Sequence, residues 1–197
     1  QPEDTFTCAP RTDTVISQPA FSVAQPDVVM ATTASTQDAA VEFASGKSGL
    51  LLIASQQTQG RGTHGRRWED GDRNTLPCSF VLNPSGKDAP LLSACIACAV
   101  HETLATLLPA GADLKIKWPN DIVTREDGRD RKLAGILIEQ RAGLTIVGIG
   151  INCTNTMSDW DQGFGSRAVS LNDLGAHVNR LDLVCRLVEH LSQWFES

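Results

Sequence analysis

The order of the apolar runs is what most constrains the fold of this chain. Residues 50–55 and 76–82 read as strands, residues 90–108 as one long helix, and residues 113–118, 133–138 and 144–151 as three further strands. The last two runs are rich in β-branched side chains. The run at 113–118 alternates, with Leu114, Ile116 and Trp118 on one face and Lys115 and Lys117 on the other. A parallel βαβ chain needs a crossover helix after each strand, and strands followed by one helix and then more strands do not supply it. The expected class is therefore α+β, a mixed, largely antiparallel sheet with helices packed on one face. Shorter signals complete the outline. Residues 27–31 are a strand candidate, and Ser35 or Thr36 can cap a helix running to about Ala44 with Gly46 as its stop. Leu181, Val184, Cys185, Val188, Leu191 and Phe195 recur at the spacing of a closing amphipathic helix. The charged stretch 125–131 reads as a hairpin turn, Asn83-Pro84-Ser85-Gly86 as turn chemistry, and 154–167 as a polar connection. Residues 1–26, rich in Thr, Pro, Gln and Ser, read as an irregular lead-in to a domain spanning 27–197.

Composition removes several classes of function. A net charge of −6 with no long Lys/Arg run argues against a broad basic surface for nucleic acid. No apolar run approaches the ~18 residues that cross a bilayer. The first residues carry Glu3 and Asp4 rather than an apolar signal core, so a cytoplasmic protein with reduced thiols is expected from its six cysteines. Cys95 and Cys98 form a C-x-x-C pair, but they lie in an alanine-rich apolar run and no second ligand pair has matching spacing. They read as small buried helix residues.

The chemistry concentrates at Gly60-Arg61-Gly62-Thr63-His64-Gly65-Arg66-Arg67-Trp68. Glycines let backbone N–H groups approach a ligand closely, and successive N–H groups in a turn can cradle an anion. Arginine adds a rigid fork of donors for phosphate or carboxylate, and Trp68 a flat apolar wall. Such a loop suits an anionic small molecule with a planar or apolar part. Downstream follow Lys117-Trp118-Pro119-Asn120-Asp121, then Lys132-Leu133-Ala134-Gly135-Ile136-Leu137-Ile138-Glu139, then Ile146-Val147-Gly148-Ile149-Gly150-Ile151-Asn152; upstream lie Ser35, Thr36 and Gln57.

That ordered set resembles the catalytic domain of biotin–protein ligases, also called holocarboxylase synthetases, from about residue 27 onward. The resemblance implies a fold related to class II aminoacyl-tRNA synthetases. It also implies an ATP-dependent reaction with Mg²⁺, in which biotin becomes biotinyl-5'-AMP with release of pyrophosphate. Biotin then passes to a lysine of the biotin carboxyl-carrier domain of a carboxylase, and a homodimer is compatible with the family. Carried over position by position, Lys132 meets the biotin carboxylate and the α-phosphate, and Arg61 is a ligand-contacting arginine of the loop that serves biotin binding and catalysis. Ser35, Thr36 and Gln57 hydrogen-bond the ureido ring. Gly60, Gly62, Gly135, Gly148 and Gly150 leave room for biotin. Arg66, Trp68, Lys117, Asn120 and Asn152 serve ATP, and Asp121 binds Mg²⁺ or orients the acceptor lysine. A neutral cyclic urea needs donors and acceptors rather than charge, which suits Ser, Thr and Gln. Activating a carboxylate on a nucleotide needs positioning and cations more than a covalent nucleophile.

The chain departs from the pattern at Thr63, where the family frequently has arginine, and at Gln37, where it usually has asparagine. No helix-turn-helix pattern is read in the sequence, so a repressor role is not expected; nor is a C-terminal β domain expected within these residues. Two competing readings remain, a lipoate–protein ligase of the same superfamily and a non-catalytic biotin-binding domain.

Overall fold

The computed structural model describes residues 5–6, 28–70, 73–82, 89–126, 128–156 and 167–195. Among the described residues eight strands and three α-helices follow one another as β1 (Thr5–Phe6), β2 (Val28–Thr33), α1 (Thr36–Ala44), β3 (Leu51–Gln57), β4 (Thr75–Leu82), α2 (Ala89–Ala105), β5 (Leu114–Lys117), β6 (Asp121–Glu126), β7 (Arg129–Arg141), β8 (Leu144–Asn152) and α3 (Arg180–Phe195). They build one sheet in the order β1-β5-β6-β7-β8-β4-β3-β2. Among the described strands only β2 and β3 pair in parallel; the other neighbours are antiparallel, as the order of the runs predicts. The long hairpin β7–β8 pairs eight positions, from Ala134↔Ile151 to Arg141↔Leu144, and it forms the middle of the sheet.

Alternation along the strands divides the core in two. Leu51 and Ile53 pack with Leu76, Phe80, Ile149 and the inner faces of α2 and α3, whereas Leu52, Val81 and Ile146 pack against Ala39, Ala40 and Ala44 of α1. The expected helix-covered face is thus that of α2 and α3, and α1 lies on the other. Its small alanine face covers only the β2–β3–β4–β8 side of the sheet. The adjoining surface of β7 and β8 is left for a cleft.

Several local expectations change. The segment 125–131 is not a turn throughout: β6 and β7 run into it, and Gly128 (φ 74) sits at the bend. Strand β5 stops at Lys117, so Trp118 does not share the buried face of Ile116; it is 39% exposed, and its peptide bond to Pro119 is cis. Ser35 is the N-cap of α1 by position, yet its side chain makes no capping hydrogen bond. That task falls to Gln57, whose Oε1 accepts from the Thr36 N–H at 2.8 Å and the Thr36 hydroxyl at 3.0 Å. At the other end Ser45 adopts the left-handed conformation (φ 49) and precedes Gly46 (φ 81). Within 1–26, residues Thr5 and Phe6 form a short strand against β5 rather than irregular chain. The rest of that segment, the turn at 83–86 and most of 154–167 lie outside the described residues. Among the described residues, no helix is long and apolar enough to cross a membrane.

Candidate active site

A cavity on the α1 face of the sheet brings together residues from every motif singled out above. Its walls include Ser35, Thr36, Gln57, Arg61, Gly62, Trp68, Asn120, Lys132, Gly135, Gly148 and Gly150. The floor is a patch of glycine. Gly135 pairs across the strands with Gly150, and Gly148 pairs with Leu137. A Cβ at Gly150 would lie 2.6 Å from the Trp68 ring, one at Gly135 2.8 Å from the same ring, and one at Gly148 2.5 Å from the Gln37 amide. The side chains that close the cleft therefore use the space those glycines vacate.

Lys132 reaches this cleft because of a bulge. Strand β7 pairs Ala134 with Ile122 and Lys132 with Val123, which leaves Leu133 as an extra residue. Without it, Lys132 and Gly135, three apart, would face opposite sides of the sheet. With it, Leu133 and Ala134 both enter the core, and the Lys132 ammonium lies 2.9 Å from the ideal Cβ position of Gly135. There Nζ pairs with Asp121 Oδ1 at 2.6 Å and stands 5.4 Å from the Trp68 ring centroid, within cation–π range. Both side chains of the pair are about one quarter exposed, so a ligand can reach them.

A neutral polar cluster sits at the α1 end. The Ser79 hydroxyl donates to Thr36 Oγ1 at 2.9 Å, and Thr36 donates onward to Gln57. Gln37, only 3% exposed, donates to the Leu137 carbonyl at 2.7 Å and accepts from Arg61 at 3.3 Å. Gln37 and Thr63 are named in the sequence only as departures, yet both line the cavity. Pro77, Cys78, Leu137 and Ile149 line it as well; their strand-like apolar context hides any such role. Burial pushes the Cys78 thiol far above its ordinary value, so it supplies no nucleophile.

The glycine–arginine loop is a miniature hairpin. Trp68 N–H donates to the Gly60 carbonyl at 2.9 Å and Gly62 N–H to the Arg66 carbonyl at 2.8 Å, around a short 3-10 turn at Thr63–Gly65. Those amides are committed to the hairpin rather than turned toward an anion. Gly60 is required at its base, since a Cβ there would meet the Trp68 carbonyl at 2.8 Å. The Arg61 guanidinium lies on the rim, paired with Glu139 at 2.7 Å and Asp38 at 3.1 Å. The Trp68 indole N–H is buried with no acceptor among the described residues, so a ligand oxygen would find a waiting donor.

Other expected residues lie apart from the cavity. Arg66 is exposed, and Lys117 is a half-exposed side chain paired with Asp130 at 3.3 Å. Asn152 is 2% exposed, and its amide donates to the carbonyls of Lys132 and Val169, both at 3.1 Å. It thus fixes the backbone of Lys132 rather than facing a base. Asn120 does line the cavity, with its amide donating to the Ile136 carbonyl at 3.3 Å. Asp121 is committed to Lys132. Among the described residues no group of three His, Cys, Asp or Glu side chains could hold a metal, so the donor set does not make a resident Mg²⁺ site.

Comparison with known proteins agrees with this geometry. The biotin/lipoate A/B protein ligase family matches residues 28–155. The chain is 35% identical over 183 residues to the biotin–[acetyl-CoA-carboxylase] ligase of Mycobacterium tuberculosis, a likeness covering 86% of this chain and 65% of the relative. It therefore spans slightly less than two thirds of that relative's length. Among solved structures, the biotin protein ligase from Aquifex aeolicus in complex with biotin and ATP matches with a TM-score of 0.72 at 26% identity, covering 86% of this chain and 70% of that one. The Leishmania major biotin protein ligase in complex with biotinyl-5-AMP matches with a TM-score of 0.70 at 25% identity, covering 87% of this chain and 75% of that one. With the match running across the strands that build the cleft, the chain belongs to the biotin/lipoate A/B protein ligase family.

Proposed function

We propose that this chain carries the catalytic domain of an ATP-dependent biotin–protein ligase. In the first step a carboxylate oxygen of biotin attacks the α-phosphorus of ATP, the bond to pyrophosphate breaks, and biotinyl-5'-AMP forms. In the second, an acceptor lysine of a biotin carboxyl-carrier domain attacks the anhydride carbonyl, loses a proton, and AMP departs. The observation that carries the reading is the cleft itself: a neutral Ser79–Thr36–Gln57 relay at one end and the Lys132 ammonium beside Gly135 at the other. A cyclic urea offers both donors and acceptors to this polar end of the cleft, which the apolar dithiolane of lipoate cannot do. The ammonium is placed to bridge a carboxylate and the α-phosphate, where negative charge must be neutralised as the new bond forms. Asp121 holds that ammonium in position.

Mg²⁺ belongs in this scheme to the nucleotide, whose phosphates would supply its ligands. Arg61 turns from Glu139 and Asp38 to the ligand. Those pairs are partly exposed and contribute little to stability. Arg61→Ala is thus expected to weaken biotin binding about tenfold while shifting the denaturation free energy by less than ~1 kcal/mol. Calorimetry and urea unfolding measure the two, and equal losses in both would make the residue structural. A cytoplasmic setting is consistent with the free cysteines among the described residues.

The test is to mix the chain with biotin, MgATP and a carrier domain, following pyrophosphate and carrier mass. Pyrophosphate with a biotin-sized mass gain is the expected result. Biotin binding without pyrophosphate would reduce the chain to a binding domain.

A further inference from the structure

The main-chain ladder between β3 and β4 stops early. It pairs Leu51 with Phe80, Leu52 with Ser79 and Ile53 with Cys78, and ends there. The next residue of β4 is Pro77, which has no N–H to donate. Beyond it, β3 runs on to Gln57 and β4 begins at Thr75 without pairing with each other. Two side chains fill the gap. Arg180, the first residue of α3, donates from one Nη to the Ser55 carbonyl at 3.1 Å and the Thr75 carbonyl at 3.0 Å. Asp70, only 6% exposed, accepts from the Gln57 backbone N–H and from the Thr75 hydroxyl. Asp70 stands two residues past Trp68, where the loop returns to the sheet.

We infer that Asp70 is a positioning residue of the active site: with Arg180 it stitches β3 to β4 where the ladder fails, and so fixes both Gln57 and the limb of the loop that carries Trp68. The inference rests on the ligase reading for what Gln57 and Trp68 contact. Gln57 caps α1 through the same side chain that faces the cleft, so its main chain must not drift if Thr36 and the ligand are to be met together. A carboxylate taken out of water at such a place is costly unless its oxygens are bonded. Burial raises the Asp70 carboxyl above its ordinary range, and the bonds from Thr75 and Gln57 and the charge of Arg180 pull the other way. The carboxylate thus carries a local cost, offset by those partners, at a position that ties the loop to β3 and β4 within the field of Arg180 on α3.

Asp70→Ala and Asp70→Asn test this by steady-state kinetics and by amide hydrogen exchange. For Asp70→Ala, the Michaelis constant for biotin is expected to rise about tenfold, with kcat and the constant for ATP held within about threefold. Exchange at the Gln57 amide and across 58–70 should quicken while β7 and β8 keep their protection. Asp70→Asn, which retains one acceptor oxygen, should fall between the alanine variant and the parent. A freed Gln57 amide with an unchanged biotin constant would overturn the inference, and so would an even decline in kcat and both constants. If Asp70→Ala does not fold, Asp70→Asn decides by the same criteria. A parent protein that releases no pyrophosphate would overturn the ligase reading alone, because exchange at Gln57 still reports on the role of Asp70.

Discussion

Lys132→Ala is expected to abolish pyrophosphate release from biotin and MgATP, a loss of at least about a hundredfold, in a protein that unfolds at nearly the parent temperature. The size follows from where the ammonium sits. Its Cε and Nζ lie over Gly135, its ammonium stands over the Trp68 ring, and of the two cations that line the cleft, Lys132 and Arg61, it is the one beside the glycine floor. Arg61 is on the rim and committed to two carboxylates, so it does not substitute for Lys132 without leaving them. Removing the ammonium leaves Asp121 facing the same space with an uncompensated negative charge, which would repel both biotin carboxylate and phosphate. Truncation should therefore cost more than the lost contact alone. A second variant separates these effects. Lys132→Ala with Asp121→Asn removes the repulsion while leaving the cation absent, and should recover part of the biotin affinity without recovering turnover. Normal pyrophosphate release in Lys132→Ala would remove the residue from the reaction.

Which parts of this site can be read from residues alone depends on how local their causes are. Strand runs and the glycine pattern are local: alternation in β8 predicts that Gly148 and Gly150 share a face, and they do. The placement of Lys132 is not, because a strictly pleated strand would point it away from Gly135; the bulge at Leu133 reconciles the two, and nothing in Lys-Leu-Ala-Gly announces it. By resemblance Asn152 is expected to serve ATP, but the carbonyls of Lys132 and of Val169, where the chain returns, take up its donors. Trp118 shares a face with Leu114 and Ile116 by alternation, but the strand ends one residue too soon. Asp70 lies in Glu69-Asp70-Gly71-Asp72, a composition typical of exposed turns. Its burial follows from a proline that interrupts a ladder between two other strands, a cause far outside any local window.

Gly150→Val is expected to cost about a hundredfold or more in biotin affinity, through the same ring that lies on Lys132. Valine suits a strand interior, so the backbone of β8 has no reason to change. The clash is with side chain alone: the new Cβ would lie 2.6 and 2.7 Å from two atoms of the Trp68 indole. The indole must leave, and its departure takes the cleft wall, the cation–π partner of Lys132 and the waiting N–H donor with it. The overpacking itself should cost about 1–3 kcal/mol of stability. A double-mutant cycle with Trp68→Ala tests whether that ring is the cause. If it is, Gly150→Val should destabilise the parent far more than it destabilises the Trp68→Ala protein, with a coupling of about 1 kcal/mol or more in urea unfolding. Biotin affinity should then fall by similar amounts in both single variants and little further in the double. Additive stability losses would mean that Trp68 does not reside over Gly150. The glycine would then be needed for the ligand directly, so biotin affinity in the double variant should fall well below that of Trp68→Ala alone.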